Sequence, residues 1–151
     1  AFGVEYVDVD KLCRESDIIT LHVPLLTDTR HIINRNTIQL MRPGVMLINT
    51  SRGGLVNTKD VIDGLKTKHI GSFGMDVYEE EANLFFQDHS EDVLLDDIIA
   101  RLLSFRNVLI TGHQAFLTRE ALSNIAATTI ANLDAWYGNH KPENELSQAD
   151  S

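Results

Sequence analysis

Three residues of this sequence each stand just after a short apolar run, and their types suit one kind of chemistry. Arg52 lies in NTSRGGLVN (49–57), Asp76 closes the run IGSFGMDV (70–77), and His113 follows NVLIT (107–111) in TGHQAF. A guanidinium is a planar, permanently charged fork that matches a carboxylate with two parallel hydrogen bonds. An imidazole steadied by a carboxylate is a ready acid and base near neutral pH. Gly53 and Gly54 let the backbone turn sharply beside a ligand. The set suits proton transfer to or from an oxygen on a small carboxylate-bearing molecule. Glu79 and Glu80 read as solvated loop charges. His22 and Pro24 close the run DIITLHV (17–23) and line the same edge, whereas His31, His69, His89 and His140 read as surface or loop positions. HExxH, CxxC and GxSxG are absent and Cys13 has no neighbouring histidine, so metal and thiol chemistry lack support.

The runs that carry these residues must be strands. Four of them, 17–23, 44–50, 70–77 and 107–111, are short, rich in β-branched residues and continuous rather than alternating. That pattern predicts parallel strands buried on both faces. Helices are predicted between them. One follows Asn57, with Val61, Ile62 and Leu65 on one stripe; another spans Asp96 to Leu103; a shorter one spans Asn34 to Met41. Alternating strands and helices give an open α/β sheet, where ligands sit beyond the carboxyl ends of the strands. A last, longer amphipathic helix is predicted from about Thr118 to Trp136, its stripe formed by Leu122, Ile125, Ala126, Thr129, Ile130, Leu133 and Trp136. The tail after Gly138 is polar.

Composition narrows the class. The 151 residues are 43% hydrophobic, with one cysteine, and resemble a soluble globular protein. No stretch reaches about 18 apolar residues, so no membrane span is expected. A net charge of -9, from 22 acidic and 13 basic residues, argues against nucleic-acid binding. The lone cysteine and the absence of a signal-like start point to the cytoplasm.

The passages SDIITLHVPLLTDTRHIIN, MRPGVMLINTSRGGLVN, IGSFGMDVYEEE and NVLITGHQAFLTREAL closely resemble the carboxyl-terminal part of the D-isomer-specific 2-hydroxyacid dehydrogenases, in that family's order and spacing. MDVYEEE, GHQAFLT and the insert from Ala82 to Arg106 resemble its fermentative D-lactate branch. The resemblance implies the C-terminal part of a doubly wound, Rossmann-like NAD-binding domain over residues 1–116, a returning helix over 117–138 and a polar tail over 139–151. It implies NAD as cofactor, pyruvate and D-lactate as substrate and product, and a homo-oligomer when complete. Arg52 then matches the residue that binds the substrate carboxylate, His113 the general acid/base, and Glu81, five residues after Asp76, the carboxylate paired with that histidine. Asp76 matches the partner of the nicotinamide carboxamide, and Val23 and Pro24 the adenine-side wall. Thr29, Thr50 and Ser51 fall along the dinucleotide path, and Phe116 matches a hydrophobic wall near the substrate.

One family element is missing. A strand, GxGxxG and helix normally open the dinucleotide fold, yet the nine glycines give only GG at 53–54 and GSFG at 71–74. The family pattern places that element, and most of the substrate domain, upstream of Ala1. The 151 residues alone are therefore expected to be inactive, having no helix N-terminus to hold the pyrophosphate. An NAD-regulated, non-enzymatic corepressor-like module of the same superfamily is the alternative expectation.

Overall fold

Helix α1 (Val9–Glu15) opens the order, followed by β1 (Ile18–Leu21), α2 (Arg35–Leu40), β2 (Val45–Asn49), a single 3-10 turn (Gly53–Leu55), α3 (Thr58–Lys66), β3 (Ile70–Met75), α4 (Asp97–Leu103), β4 (Val108–Ile110) and α5 (Arg119–Tyr137). The computed structural model describes residues 3–79, 97–142 and 144. The chain divides into two compact units, residues 1–113 and 114–151.

In the first unit the four strands form one parallel sheet in the order β1-β2-β3-β4. All four predicted runs are strands of it, and each predicted helix is present. Capping explains where the helices begin. Asn34 accepts from the N–H groups of Asn36 and Thr37, and the Thr37 hydroxyl accepts in return from the Asn34 N–H. Asn57 accepts from the Asp60 N–H and starts α3. Helix α1 was not anticipated, although Asp8 caps it by accepting from the Lys11 N–H at 2.7 Å.

Among the described residues, helices α2, α3 and α4 cover one face of the sheet. Ile19, Leu21, Val45, Leu47, Ile70, Phe73 and Met75 point into a core completed by Ile38, Val61, Ile62, Leu65, Ile99 and Leu102 from the helices. On the opposite face Ile18, Met46 and Leu109 are 58%, 40% and 69% exposed. An apolar run records which faces can be buried, and the helices α2, α3 and α4 cover only one of them.

A bulge keeps that inward face in phase. Val45 pairs with Ile70, but Met46 pairs with Ser72, so β3 gains one residue at Gly71. The slip sets buried Phe73 opposite buried Leu47, and Met75 opposite Asn49. Only glycine fits there, because a Cβ on Gly71 would lie 2.4 Å from the Gly44 carbonyl oxygen.

In the second unit α5 is a helix of 19 residues capped by Thr118, which accepts from the Ala121 N–H. The predicted stripe is present in sequence, yet α5 has no buried side chain, and Ile125, Ile130, Leu133 and Trp136 are exposed. No helix among the described residues is long and apolar enough to cross a membrane.

Candidate active site

The four strands end level with one another. Leu21 pairs with Asn49, Asn49 with Met75, and Met75 with Ile110, so residues that follow each strand emerge along a single edge. This is the carboxyl edge of an open parallel sheet, the common ligand-binding edge of α/β folds. Val23 and Pro24 lie beyond β1, Thr50, Ser51 and Arg52 beyond β2, Asp76 beyond β3 and His113 beyond β4.

Backbone bonds continue past the strand ends and tie these segments together. The Asp76 N–H donates to the Asn49 carbonyl at 3.0 Å, the Thr111 N–H to the Met75 carbonyl at 2.9 Å, and the His113 N–H to the Asp76 carbonyl at 2.7 Å. His113 has φ +53, in the left-handed region, which turns the chain sharply at this point. Asp76 is only 3% exposed, and its carboxylate accepts from the Thr111 hydroxyl. On the other side of β2, the Ser51 hydroxyl donates to the Val23 carbonyl at 2.8 Å. Arg52, Asp76 and His113 are thus brought to one edge.

The Arg52 turn is built by Asn49, a residue sequence reading missed. Asn49 is 1% exposed; its Nδ2 donates to the Arg52 carbonyl at 2.9 Å and its Oδ1 accepts from the Ser51 N–H at 3.1 Å. The signal was present as a polar residue two before a serine at the end of an apolar run, where asparagine folds the backbone into a turn. Gly53 then passes so close to the next segment that a Cβ would lie 2.1 Å from the Tyr78 carbonyl carbon. The guanidinium itself is exposed, with Nη1 donating to the Ser51 carbonyl at 2.7 Å.

Other expected site residues fall in different settings. The Thr29 hydroxyl is engaged within its own loop, donating to the Pro24 carbonyl and accepting from the Leu26 N–H, both at 2.7 Å. Thr50 is exposed at the edge. Phe116 belongs to the second unit and is 52% exposed. Glu81 lies outside the described residues, as do Glu80 and most of the insert from 82 to 106.

The reading of Glu79 as a solvated charge does not hold: its carboxylate is tied to His31, which lies in the loop after β1. The two side chains, 21% and 31% exposed, meet with His31 Nε2 and Glu79 Oε1 2.6 Å apart. Glu79 Oε2 also accepts from the N–H and the hydroxyl of Thr58, at 3.1 and 2.8 Å. Burial pushes the Glu79 carboxyl up, but these hydrogen bonds together outweigh it and hold the group below the ordinary carboxylate value. Separations of 48 and 21 residues hid both contacts from any local pattern. Among the described residues no group of three histidines, cysteines or carboxylates could hold a metal ion.

Comparison with known proteins agrees with this geometry. Residues 1–115 match the family described as D-isomer specific 2-hydroxyacid dehydrogenase, NAD binding domain. The chain is 51% identical over 144 residues to a D-lactate dehydrogenase of Escherichia coli strain K12, covering 95% of this chain and 44% of that protein. A solved structure reported under the identification of the pyruvate reductase of Chlamydomonas reinhardtii superposes with a TM-score of 0.88 at 47% identity, over 94% of this chain and 44% of that one. A D-lactate dehydrogenase from Aquifex aeolicus complexed with NAD and lactic acid superposes with a TM-score of 0.79 at 36% identity, over 89% and 41%. The chain thus spans less than half the length of these relatives. On its sequence, its parallel sheet and the edge that gathers Arg52, Asp76 and His113, the chain belongs to the NAD binding domain of the D-isomer specific 2-hydroxyacid dehydrogenase family.

Proposed function

We propose that this chain supplies the catalytic edge of an NAD-dependent D-lactate dehydrogenase, which reduces pyruvate to D-lactate. The observation that carries the reading is the level ending of β2, β3 and β4, with Arg52, Asp76 and His113 on the three segments that follow. A guanidinium for a carboxylate, an imidazole for an oxygen and a buried carboxylate for an amide together match a 2-keto acid lying beside a nicotinamide.

The residues present fit that cofactor. Asp76 offers carboxylate oxygens suited to a carboxamide N–H, while Thr50 and Ser51 offer hydroxyls at the neighbouring strand end. Thr29 lies farther along the same path, and Val23 and Pro24 give an apolar wall for the adenine side. When bound, NADH supplies the hydride that the carbonyl carbon receives. Arg52 holds the substrate carboxylate with two parallel bonds and fixes which face of the carbonyl is presented. His113 delivers a proton to the carbonyl oxygen as negative charge develops there. We assign Glu81 to pairing with His113 and favouring its protonated form, and Phe116 to an apolar wall near the substrate methyl group. The reading extends to a cytoplasmic homo-oligomer, since a single cysteine suits a reducing compartment.

The test is direct. The protein carrying this chain is mixed with NADH and pyruvate, loss of nicotinamide absorbance is followed, and the lactate formed is resolved by chiral chromatography. D-lactate is expected. Formation of L-lactate, or no oxidation of NADH that depends on a keto acid, would overturn the proposal.

A further inference from the structure

We infer that His31 and Glu79 form a brace behind the Arg52 turn, acting as positioning residues that set the guanidinium for the substrate carboxylate. The inference rests on the dehydrogenase reading above and adds two residues to it.

The brace joins three segments that follow three different strands. His31 lies in the loop after β1, the Gly53–Gly54 turn follows β2, and Glu79 follows β3. His31 holds the turn through its backbone, with its N–H donating to the Gly54 carbonyl at 2.9 Å. It does so from φ +51, a left-handed conformation that a residue with a side chain adopts only when its surroundings enforce it. The same residue reaches Glu79 through its ring, at 2.6 Å. Glu79 in turn lies against the other side of the turn, where a Cβ on Gly53 would stand 2.5 Å from the Glu79 nitrogen. The carboxylate is anchored on the first residue of α3 by both the N–H and the hydroxyl of Thr58.

Gly53 and Gly54 are therefore held between His31 on one side and the Tyr78–Glu79 backbone on the other. A carboxylate needed only to finish the start of α3 would be served by Thr58 alone, and Asn57 already caps that helix. The bond to His31 does something else: it closes the loop after β1 onto the segment after β3, with the Arg52 turn enclosed. Arg52 is exposed and its guanidinium folds onto the Ser51 carbonyl, so its direction is inherited from the backbone beneath it. Short, charge-assisted bonds are the strongest means available for fixing that backbone.

The experiment uses the active protein with Glu79→Ala, Glu79→Gln, His31→Ala and the double variant Glu79→Ala/His31→Ala. The KM for pyruvate is expected to rise about ten-fold in each alanine variant, with the Kd for NADH changed by less than about two-fold. The double variant should be little worse than either single one, because both remove the same brace. Glu79→Gln, whose amide oxygen still accepts a hydrogen bond, should recover part of the loss. Hydrogen exchange gives a readout independent of turnover: the Leu55 and Val56 amides, which donate to the Arg52 and Gly53 carbonyls, should exchange faster in Glu79→Ala. Unchanged pyruvate KM with unchanged exchange overturns the brace. Equal losses of NADH and pyruvate affinity with a lowered melting temperature overturn it too, in favour of a purely structural role. If the unaltered protein shows no keto-acid reduction, the dehydrogenase reading fails, and exchange at Leu55 and Val56 still decides whether the brace holds the turn.

Discussion

Asn49 and Arg52 are joined by a hydrogen bond from the Asn49 side chain to the Arg52 carbonyl, at 2.9 Å. A fully buried amide therefore fixes the backbone of an exposed cation three residues later, while Oδ1 holds the Ser51 N–H between them. Replacing Asn49 by Ala leaves both backbone groups without this partner and should cost about 1–3 kcal/mol of stability. Urea unfolding of the protein would measure it. Pyruvate KM should rise in the same variant, because the turn that aims Arg52 is loosened; an unchanged KM would separate the turn from substrate binding.

Gly53 offers a harsher test of the same turn. A methyl group there would meet backbone atoms of Tyr78 at 2.1 and 2.2 Å, and backbone yields less readily than a side-chain tip. Gly53→Ala should destabilise by about 1–3 kcal/mol or more and depress kcat/KM for pyruvate. Gly112→Ala is the control, since its Cβ would have nothing within 4 Å. Similar melting temperatures for the two variants would count against the close approach described.

The proposed roles of Arg52 and His113 separate kinetically. Arg52→Lys exchanges a bidentate fork for a point charge and should mainly raise the KM for pyruvate. His113→Ala removes the proton donor and should lower kcat by about 100-fold or more. Steady-state kinetics on both variants checks the division, and full turnover in His113→Ala would remove the assigned role.

The Glu79 carboxyl also makes stability depend on pH. Its folded value lies below its ordinary one of 4.5, so the stability it contributes is complete above that ordinary value. That contribution is lost as pH falls through the lower, folded value. Unfolding free energies compared at neutral and strongly acidic pH should fall less steeply in Glu79→Gln than in the unaltered protein. Parallel slopes would mean that Glu79 is not held in its charged form by Thr58 and His31.

Local pattern made the frame of this chain legible. Short apolar runs such as VMLIN and capping residues such as Asn34 and Asn57 act within a few residues of themselves, so strands and helices could be read directly. The edge carrying Arg52, Asp76 and His113 followed, because residues after parallel strands emerge together. What could not be read depends on contacts distant in sequence. Nothing near Glu79 distinguishes it from its acidic neighbours until His31 and Thr58 are brought beside it. The face on which α2, α3 and α4 pack was hidden for a related reason: Ile18 and Met46 are as apolar as Ile19 and Leu47, and only the side on which the helices lie tells them apart.

The bulge at Gly71 has a consequence for how this protein can change length. Successive residues of a strand point to opposite sides, so one residue more or fewer reverses every side chain beyond it. Gly71 stands five residues before Asp76, roughly 16 Å away along an extended chain. Deleting it would leave Ile70 and Ser72 consecutive, opposite the consecutive Val45 and Met46, so the ladder would run regularly and Asp76 would keep its side. A single residue lost between Ser72 and Met75 would instead turn Asp76 away from the edge, so β3 can shorten by one residue at its bulge and not beyond it.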